Sequence, residues 1–242
     1  MIITSHFFDA YLKCPTKCWL RSRAELSAGN GYADSVCAEN EAYRAEEVAR
    51  LLASFPGNDR AIASPSLQNL GDASWRIAID VRLRVHDMEA QLQALERIPS
   101  DGRGRPAQFI PYRFEFANKL SKYDKLSLAF DAFLLSEVLG RKVGLGKIMH
   151  GDRRTTLKVQ MSLLAGEVRK RIKEIVVLVS GASPPDLVLN RHCSECEFQA
   201  RCRRQAMEKD DLSLLSGMSE KERKKLHGKG IRSQISTRRT MR

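Results

Sequence analysis

Apolar and polar residues alternate most regularly from Trp75 to His86. An apolar side chain at every second position is typical of a β-strand with one buried face. Asp80 is the lone carboxylate on the polar face of this strand, among arginines. Residues 110–116, with Tyr112 and Phe114 on one face, predict a second strand that forms a hairpin-like pair with the first. Residues 142–150 predict a third strand.

Apolar residues at helical spacing predict four helices. The first begins at Thr4 or Ser5 and ends before Cys14, because Pro15 pushes the preceding residue out of the helical region. The others cover about residues 34–54, 121–140 and 160–180, and Ser121 has the capping signature of the third helix. Helices and strands in this order predict a mixed α/β core in which helices pack on a sheet.

The composition is that of a globular protein, with 242 residues, 43% of them hydrophobic and 29% charged. No apolar run is long enough to cross a bilayer, and the N-terminus lacks the basic and apolar regions of a secretory signal. We therefore expect a cytoplasmic protein with reduced thiols and without a membrane partner.

The positive charge is concentrated at the C-terminal end. The formal net charge is +12, and residues 203–242 contain twelve Lys or Arg and five Asp or Glu, a net charge of +7. A basic stripe favours a polyanionic partner, of which nucleic acid is the commonest in the cytosol. A solvated tail that only improves solubility is the alternative.

Three cysteines have the spacing of metal ligands, because Cys193, Cys196 and Cys202 form a Cys-x₂-Cys-x₅-Cys pattern. The short gap lets two thiolates converge on one ion or cluster, and five further residues, roughly a turn and a half of helix, bring back a third. Tetrahedral metal sites and four-iron clusters take four ligands, so one more is needed. The candidates for the fourth ligand are Cys14, Cys18, Cys37 and His192.

Three interpretations of these cysteines are open on the residues alone. They hold an iron–sulfur cluster, or they hold a zinc ion with Cys14 or His192 as the fourth ligand, or they are reduced thiols packed in a core. Clustered cysteines in a protein with reduced thiols favour a metal centre.

Residues 11–15, where Cys14 follows Tyr11 in a Tyr-x-x-Cys-Pro context, and residues 193–202 together resemble the iron–sulfur RecB-like nucleases. That group includes AddB and the CRISPR adaptation exonucleases. Segments 119–133, 146–152 and 190–202 extend the resemblance over residues 3–232. It implies a restriction-endonuclease-like PD-(D/E)XK fold that acts on DNA and is closed by a structural [4Fe–4S] cluster. The cluster ligands that it implies are Cys14, Cys193, Cys196 and Cys202.

The resemblance also implies a catalytic Mg²⁺ or Mn²⁺ ion. In the family, an Asp on one strand and a Glu two residues before a Lys on the next strand hold the ion and activate water. Asp80 fits the first position and Glu115 the second, but Ala117 stands where the Lys belongs. Lys119 lies on the same face one repeat further along and is the candidate substitute.

Two more family motifs have no match in this chain. The glutamine–tyrosine helix motif is missing, and the second helix has no histidine, for which Glu41 or Glu47 is the candidate replacement. If the metal site is lost, the two strand carboxylates are expected to pair with Arg82 or Arg113. Two functions follow: a metal-dependent nuclease with a degraded active site, or a catalytically inactive nucleic-acid-binding module that keeps the fold and the cluster.

After Cys202, residues 210–226 predict a helix, a turn at Gly217 and a second helix with Ser219 and Glu222 as a capping box. The arrangement resembles a helix-hairpin-helix element, whose turn amides hold a phosphate, and a plain helical hairpin is the alternative. The expected domains are a nuclease-fold domain over residues 1–206, this hairpin over 207–232 and a disordered basic tail over 233–242.

Overall fold

The computed structural model divides into two compact units, each built from two separate stretches of the chain. Unit 1 comprises Met1–Asp9 and Ala38–Val176, and unit 2 comprises Ala10–Cys37 and Val177–Arg242. The structure describes residues 2–62, 73–100, 102, 106–215, 217–231 and 233. Most of the loop predicted near residues 100–106, and all of the predicted tail except Ser233, lie outside these residues.

The structure contains the three strands and four core helices that the hydrophobic pattern predicts, together with further short strands and helices that it does not. The strands are β1 (Ile3–Thr4), β2 (Arg60–Ile62), β3 (Ile77–Val85), β4 (Met88–Ile98), β5 (Gln108–Glu115), β6 (Leu145–His150) and β7 (Thr155–Gln160). The helices are α1 (Ser5–Lys13), α2 (Pro15–Ser22), α3 (Gly31–Ala53), α4 (Lys122–Leu139), α5 (Ala165–Ser180), α6 (Gln199–Glu208) and α7 (Glu220–Gly228). Among the described helices, none is long and apolar enough to span a bilayer.

Unit 1 contains a mixed seven-stranded sheet with the order β2-β3-β4-β5-β6-β7, and β1 is parallel to β4 at one side. The strands β3, β4 and β5 form an antiparallel meander, and β6 and β7 form a second antiparallel pair. Because β5 and β6 are parallel, the chain must cross over between them, and α4 makes that crossover. The predicted α/β architecture is confirmed at this level.

The strand β4 is the main correction to the sequence prediction. The hairpin partner of β3 is β4, with Ile77 opposite Glu96 and Val85 opposite Met88, so β5 lies one strand further away than expected. Residues 88–98 were not predicted as a strand because they are rich in Ala, Gln, Glu and Leu, which favour helices. Pairing on both sides within the sheet outweighs that preference.

The two faces of the sheet carry different helices. Tyr112 and Phe114 of β5 pack with Tyr43 of α3 in one hydrophobic cluster. Arg113, which lies between them in the strand, points to the opposite face and pairs with Asp131 of α4. Strand alternation therefore explains how one strand supplies apolar packing to one helix and a buried charge to another.

The predicted helix boundaries agree with the structure where a cap defines them. Thr4 accepts a hydrogen bond from the amide of Phe7 at the start of α1, and Pro15 opens α2 directly after Cys14. Ser121 begins α4 with a capping box, and Gly140 ends it with φ +62°, a left-handed conformation that glycine adopts without strain.

The C-terminal hairpin of unit 2 differs from the prediction in its first arm. The segment before Gly217 contains a short 3₁₀ turn, Leu212–Leu214, instead of an α-helix. The second arm is α7, and its predicted capping box between Ser219 and Glu222 is confirmed. Asp211 and Arg223 form a buried ion pair with an O–N distance of 2.7 Å that joins the two arms.

Candidate functional site

Unit 2 positions its cysteines at the ends of short elements. Cys14 is the extended residue between α1 and α2, and Cys193 lies in the 3₁₀ turn Arg191–Glu195. Cys196 directly follows that turn in an extended conformation, and Cys202 is in the first turns of α6. Each cysteine is therefore near a change of chain direction, where a thiol can point inward without interrupting an element.

These four cysteines line one small cavity of about 20 Å³ in unit 2. Cys196 and Cys202 are each 8% exposed. Cys18 is fully buried in α2 and does not line the cavity, and Cys37 is exposed. Cys14 is thus the N-terminal cysteine that the fold brings beside the C-terminal three, although 179 residues separate it from Cys193 in the sequence.

The thiols influence one another electrostatically, which is a sign of their proximity. Burial, together with the neighbouring Cys196, Cys14 and Cys193, raises the pKa of Cys202 to about 11. Burial also raises the pKa values of Cys193 and Cys196. The thiols of Cys193, Cys196 and Cys202 are therefore protonated at neutral pH in the absence of a positive ion, and a bound metal must displace their protons.

Hydrogen bonds hold the chain around this cavity. The amide of Asn190 donates to Sγ of Cys193 at 3.3 Å, and the side-chain amide of Asn190 donates to the carbonyl of Lys13, next to Cys14. Asn30 donates to the carbonyl of Cys196 at 3.2 Å. Amides that donate to thiolate sulfur and fix its orientation are common around metal–thiolate centres.

Glu197 connects the two cysteine-bearing stretches of unit 2 by charge. Its carboxylate is 2.8 Å from Nζ of Lys17 and 2.6 Å from a guanidinium nitrogen of Arg21, both in α2. Burial alone would raise the pKa of Glu197, but the hydrogen bond from Lys17 and the charge of Arg21 outweigh it and lower the pKa to about 2. The loop that carries Cys196 is thereby fixed to the helix that follows Cys14.

The described side chains do not form a ready site for a single metal ion. Across the ranges that the structure covers, no group of three or more His, Cys, Asp or Glu residues is arranged to hold one. His192, the alternative fourth ligand, also lines the cysteine cavity, and its Nε2 accepts a hydrogen bond from Arg191 at 3.3 Å.

Unit 1 places Asp80 opposite a residue other than the one expected. The flanking pairs, Ile79 with Ala94 and Val81 with Leu92, put Gln93 of β4 across from Asp80. The family pattern requires a carboxylate there and a lysine two residues later, where this chain has an amide and Leu95. Glu115 is on β5, so β4 separates the strands of the two predicted metal-binding carboxylates.

Asp80 has an ion-pair partner that the sequence did not suggest. Its carboxylate pairs with the guanidinium of Arg44 from α3, instead of with Arg82 or Arg113. Arg113 instead donates to Asp131 at 2.7 Å and to Asp9 at 3.2 Å. A guanidinium therefore occupies the side of Asp80 that a divalent cation would need.

The backbone at Asp80 is strained. Asp80 has φ +55° within β3, a region that residues other than glycine rarely adopt. Strained backbone of this kind clusters at functional sites, where the surrounding structure holds it in place. The side chain is 42% exposed, so it is accessible from solvent.

The other predicted catalytic residues lie at or beyond the end of β5. Glu115 is the last residue of the strand, half-buried, and its carbonyl accepts a hydrogen bond from Gly151. Ala117 follows in irregular chain, and Lys119 is exposed in a bend outside the strand. Strand alternation therefore does not carry Lys119 onto the face of Glu115, and Lys119 belongs to the loop that follows β5.

The candidate replacements for the missing histidine lie in α3. Glu47 is 1% exposed, and its carboxylate is 2.6 Å from Nε of Arg154, so its charge is already neutralised. Glu41 is exposed on the same helix. Neither belongs to a group able to hold a metal ion among the described side chains.

A polar cluster on the sheet was missed by the sequence analysis. Lys147 of β6 lies 2.8 Å from the carboxylate of Glu96 of β4, and the hydroxyl of Tyr112 between them donates to Glu96 at 2.6 Å. Burial raises the pKa of Tyr112, and the hydrogen bond to Glu96 raises it further. No local signal could have revealed this cluster, because its three members are on three strands.

The hydrogen-bond donors of Ser219 in the C-terminal hairpin turn are already bonded within the turn. The amide and the hydroxyl of Ser219 both donate to the carboxylate of Glu222, at 3.0 and 2.6 Å. A phosphate at this turn would meet a carboxylate where the predicted helix-hairpin-helix element offers amides. Exposed lysines and arginines remain on α6 and α7, namely Arg203, Arg204, Lys221, Lys224 and Lys225.

Comparisons with known proteins leave the family open. Neither the protein-family models nor the curated proteins include a match to this chain. Among solved structures, the crystal structure of SSO0001 is similar, with 15% sequence identity, 84% of this chain and 86% of that chain covered, and a TM-score of 0.43. A likeness at this level carries no argument about function, so the sites are interpreted from their own residues.

Proposed function

We propose that this protein is a RecB-like, nuclease-fold protein that binds nucleic acid, with DNA as the first candidate, and does not cut it. In this proposal Cys14, Cys193, Cys196 and Cys202 bind a [4Fe–4S] cluster that stabilises unit 2. The convergence of these four cysteines on one cavity carries the cluster proposal. The pairing of Asp80 with Arg44 carries the proposal that cutting is lost.

The cysteine cavity has the donor set that an iron–sulfur cluster requires. It supplies four thiols, an amide that donates to Sγ of Cys193, and Lys13 in its lining, whose charge favours an anionic group. The cluster would act as a structural cross-link between the stretches that carry Cys14 and Cys202. Zinc is the alternative, because four thiols are also the donor set of a structural zinc site.

Anaerobic purification followed by spectroscopy and metal analysis tests the cluster. We expect a brown protein that absorbs near ~400 nm, where thiolate–iron charge transfer falls, and contains about four iron atoms per chain. Replacing Cys14 or Cys193 with serine should abolish the colour, whereas the matched control Cys37→Ser should retain it. A colourless protein with one zinc per chain would show that the site binds zinc instead of a cluster. A protein without metal would contradict both proposals.

Nucleic-acid binding is supported by the exposed cations of α6 and α7. Because the turn amide of Ser219 is already bonded, contacts would come from Lys221 and Lys225 side chains acting as point charges on phosphates. Binding of this kind weakens steeply as salt concentration rises.

Fluorescence anisotropy with labelled single-stranded DNA in EDTA tests this binding. The double variant Lys221→Glu with Lys225→Glu should weaken binding by roughly tenfold or more and reduce the salt dependence. Lys158→Glu, at an exposed position on β7, is the control. If all three proteins bind the DNA with equal affinity, α7 is not part of the interface.

A metal-dependent nuclease is the second candidate, and the strained backbone of Asp80 is the observation that favours it. Asp80 borders Arg44, which lines a polar cavity of about 260 Å³ together with Gln93 and Arg113. We expect no cutting of single-stranded DNA with Mg²⁺ or Mn²⁺. Cutting that disappears in Asp80→Ala would establish the nuclease, and cutting that survives would be assigned to a contaminant.

A further inference from the structure

Unit 1 contains a second recessed surface, far along the strands from the end that carries Glu115. This surface, the α4–α5 groove, is a cavity of about 600 Å³ between one face of α4, the first turn of α5 and the start of β6. Its floor is apolar and includes Ala132, Phe133, Val143 and Met161. Cavities of this size with apolar floors are typical of binding sites.

The groove continues past the loop that joins α4 to β6. Arg141, Lys142, Val143 and Gly144 line both this groove and a neighbouring cavity of about 520 Å³ beside Phe109. Two adjoining cavities of this size offer more surface than a compact small molecule would cover, which favours a chain-like ligand.

The rim of the groove is positively charged. Arg141, Lys142 and Arg169 line it, against Glu137 as the one acid among its described lining residues. The guanidinium of Arg169 lies 5.7 Å from the ring centre of Phe133 and so joins the charged rim to the apolar floor. Charge complementarity therefore favours a ligand that is both acidic and apolar.

Leu163 distinguishes a protein ligand from a nucleic acid. It follows Met161 and Ser162, which line the groove, and is 81% exposed. A phosphate backbone gains nothing from an exposed leucine next to the groove lining in the chain, whereas an apolar side chain of a protein segment could cover it. We propose that the α4–α5 groove binds an acidic, amphipathic segment of a partner protein through an apolar floor and a cationic rim.

Selection of displayed random peptides on the whole protein tests this proposal independently of the cysteine centre and of DNA binding. The selected peptides should be enriched in Asp or Glu together with Leu or Phe. Gly166 offers a blocking variant, since a side chain added there meets no atom within 4 Å and extends from the groove lining. Gly166→Phe should weaken a selected peptide by about tenfold or more.

Matched controls separate the groove from general effects. Gly57→Phe adds the same side chain in open space elsewhere, and Lys158→Glu makes the same charge change as Lys142→Glu outside the groove. Both controls should retain peptide binding, and Lys142→Glu should weaken it. Peptides without acidic enrichment, or peptides that Gly166→Phe does not weaken, would overturn the proposal. A result with DNA would also overturn it: Gly166→Phe and Lys142→Glu weaken the binding of single-stranded DNA, and acidic peptides do not compete with that DNA.

Discussion

The cysteine cavity of unit 2 and the Asp80 region of unit 1 differ in how their reactive groups are partnered. The four cysteines line one cavity, and burial raises the pKa values of Cys193, Cys196 and Cys202. Asp80, in contrast, is paired with Arg44, and buried Glu47 is paired with Arg154. One region has ligands arranged around a space, and the other has carboxylates neutralised by arginines of the same chain.

This difference indicates which site keeps the chemistry that the family resemblance implies. A metal site must leave its ligands available until the ion arrives, because the ion supplies the compensating charge. An internal guanidinium supplies that charge permanently and competes with any cation. The arginines of unit 1 therefore make Asp80 and Glu47 partners in ion pairs, and the proposed loss of cutting rests on this pairing.

The largest predicted effect depends on the proposed metal centre: removal of a bound metal should unfold unit 2 and leave the sheet of unit 1 folded. The hydrophobic cluster around Trp19, Leu20 and Phe198 is small, so the binding free energy of the metal, on the order of 10 kcal/mol in small metal-dependent domains, would supply much of the stability. Hydrogen exchange before and after iron removal measures it. Persistent protection of α6 without metal would contradict a structural role.

The sequence predicted the helices and strands far better than it predicted which strands lie next to each other in the sheet. The alternation of β3 and the capping signature of α4 are local signals, and both were confirmed. The strand β4 was missed because its Ala, Gln and Leu residues favour helix, and Glu115 was therefore expected on the strand next to Asp80, where the structure has Gln93 of β4.

Long-range packing explains the rest of what the sequence left undetermined. The spacing of Cys193, Cys196 and Cys202 is local, but the choice of Cys14 as their companion rested on the family resemblance. Arg44 lies on a correctly predicted helix, yet nothing in its neighbourhood in the sequence indicates that it reaches Asp80. Such contacts depend on how a helix packs on a sheet, which periodicity does not specify.

Replacing Arg113 with methionine should give the next largest effect. The side chain is 8% exposed and pairs with Asp131, which is 1% exposed, so the substitution leaves a buried carboxylate without its cation. We expect a loss of about 3–5 kcal/mol in the free energy of unfolding, measured by urea denaturation of unit 1. Arg84→Met, at an exposed position on β3, should change it by less than about 0.5 kcal/mol. Similar losses in both variants would show that the buried pair is not the cause.

Acid should weaken unit 2 through Glu197. Its pKa is lowered to about 2 in the folded protein, below the ordinary value of 4.5, so the folded state favours the ionised form. The resulting stabilisation, at most about 3 kcal/mol, is complete above pH 4.5 and is lost as the pH falls towards 2. Unfolding of the protein and of Glu197→Gln, followed across this range, measures it. The variant should be less stable near neutral pH and should lack this part of the pH dependence. Parallel pH profiles of the two proteins would contradict the assignment of this stabilisation to Glu197.

The smallest effect should come from Asp80, and it bears most directly on the comparison of the two regions. Its pair with Arg44 is partly exposed, so Asp80→Ala should change the free energy of unfolding by less than about 1 kcal/mol. Because the guanidinium already neutralises the carboxylate, millimolar Mg²⁺ should not raise the melting temperature of either protein. Arg44→Ala removes the competing cation. Any residual affinity of Asp80 for Mn²⁺ should then appear as a rise in melting temperature when Mn²⁺ is added. The double variant, Arg44→Ala with Asp80→Ala, should not show this rise. If Mg²⁺ stabilises the unaltered protein but not Asp80→Ala, the carboxylate binds metal despite Arg44, and the two regions do not differ in the way that we infer.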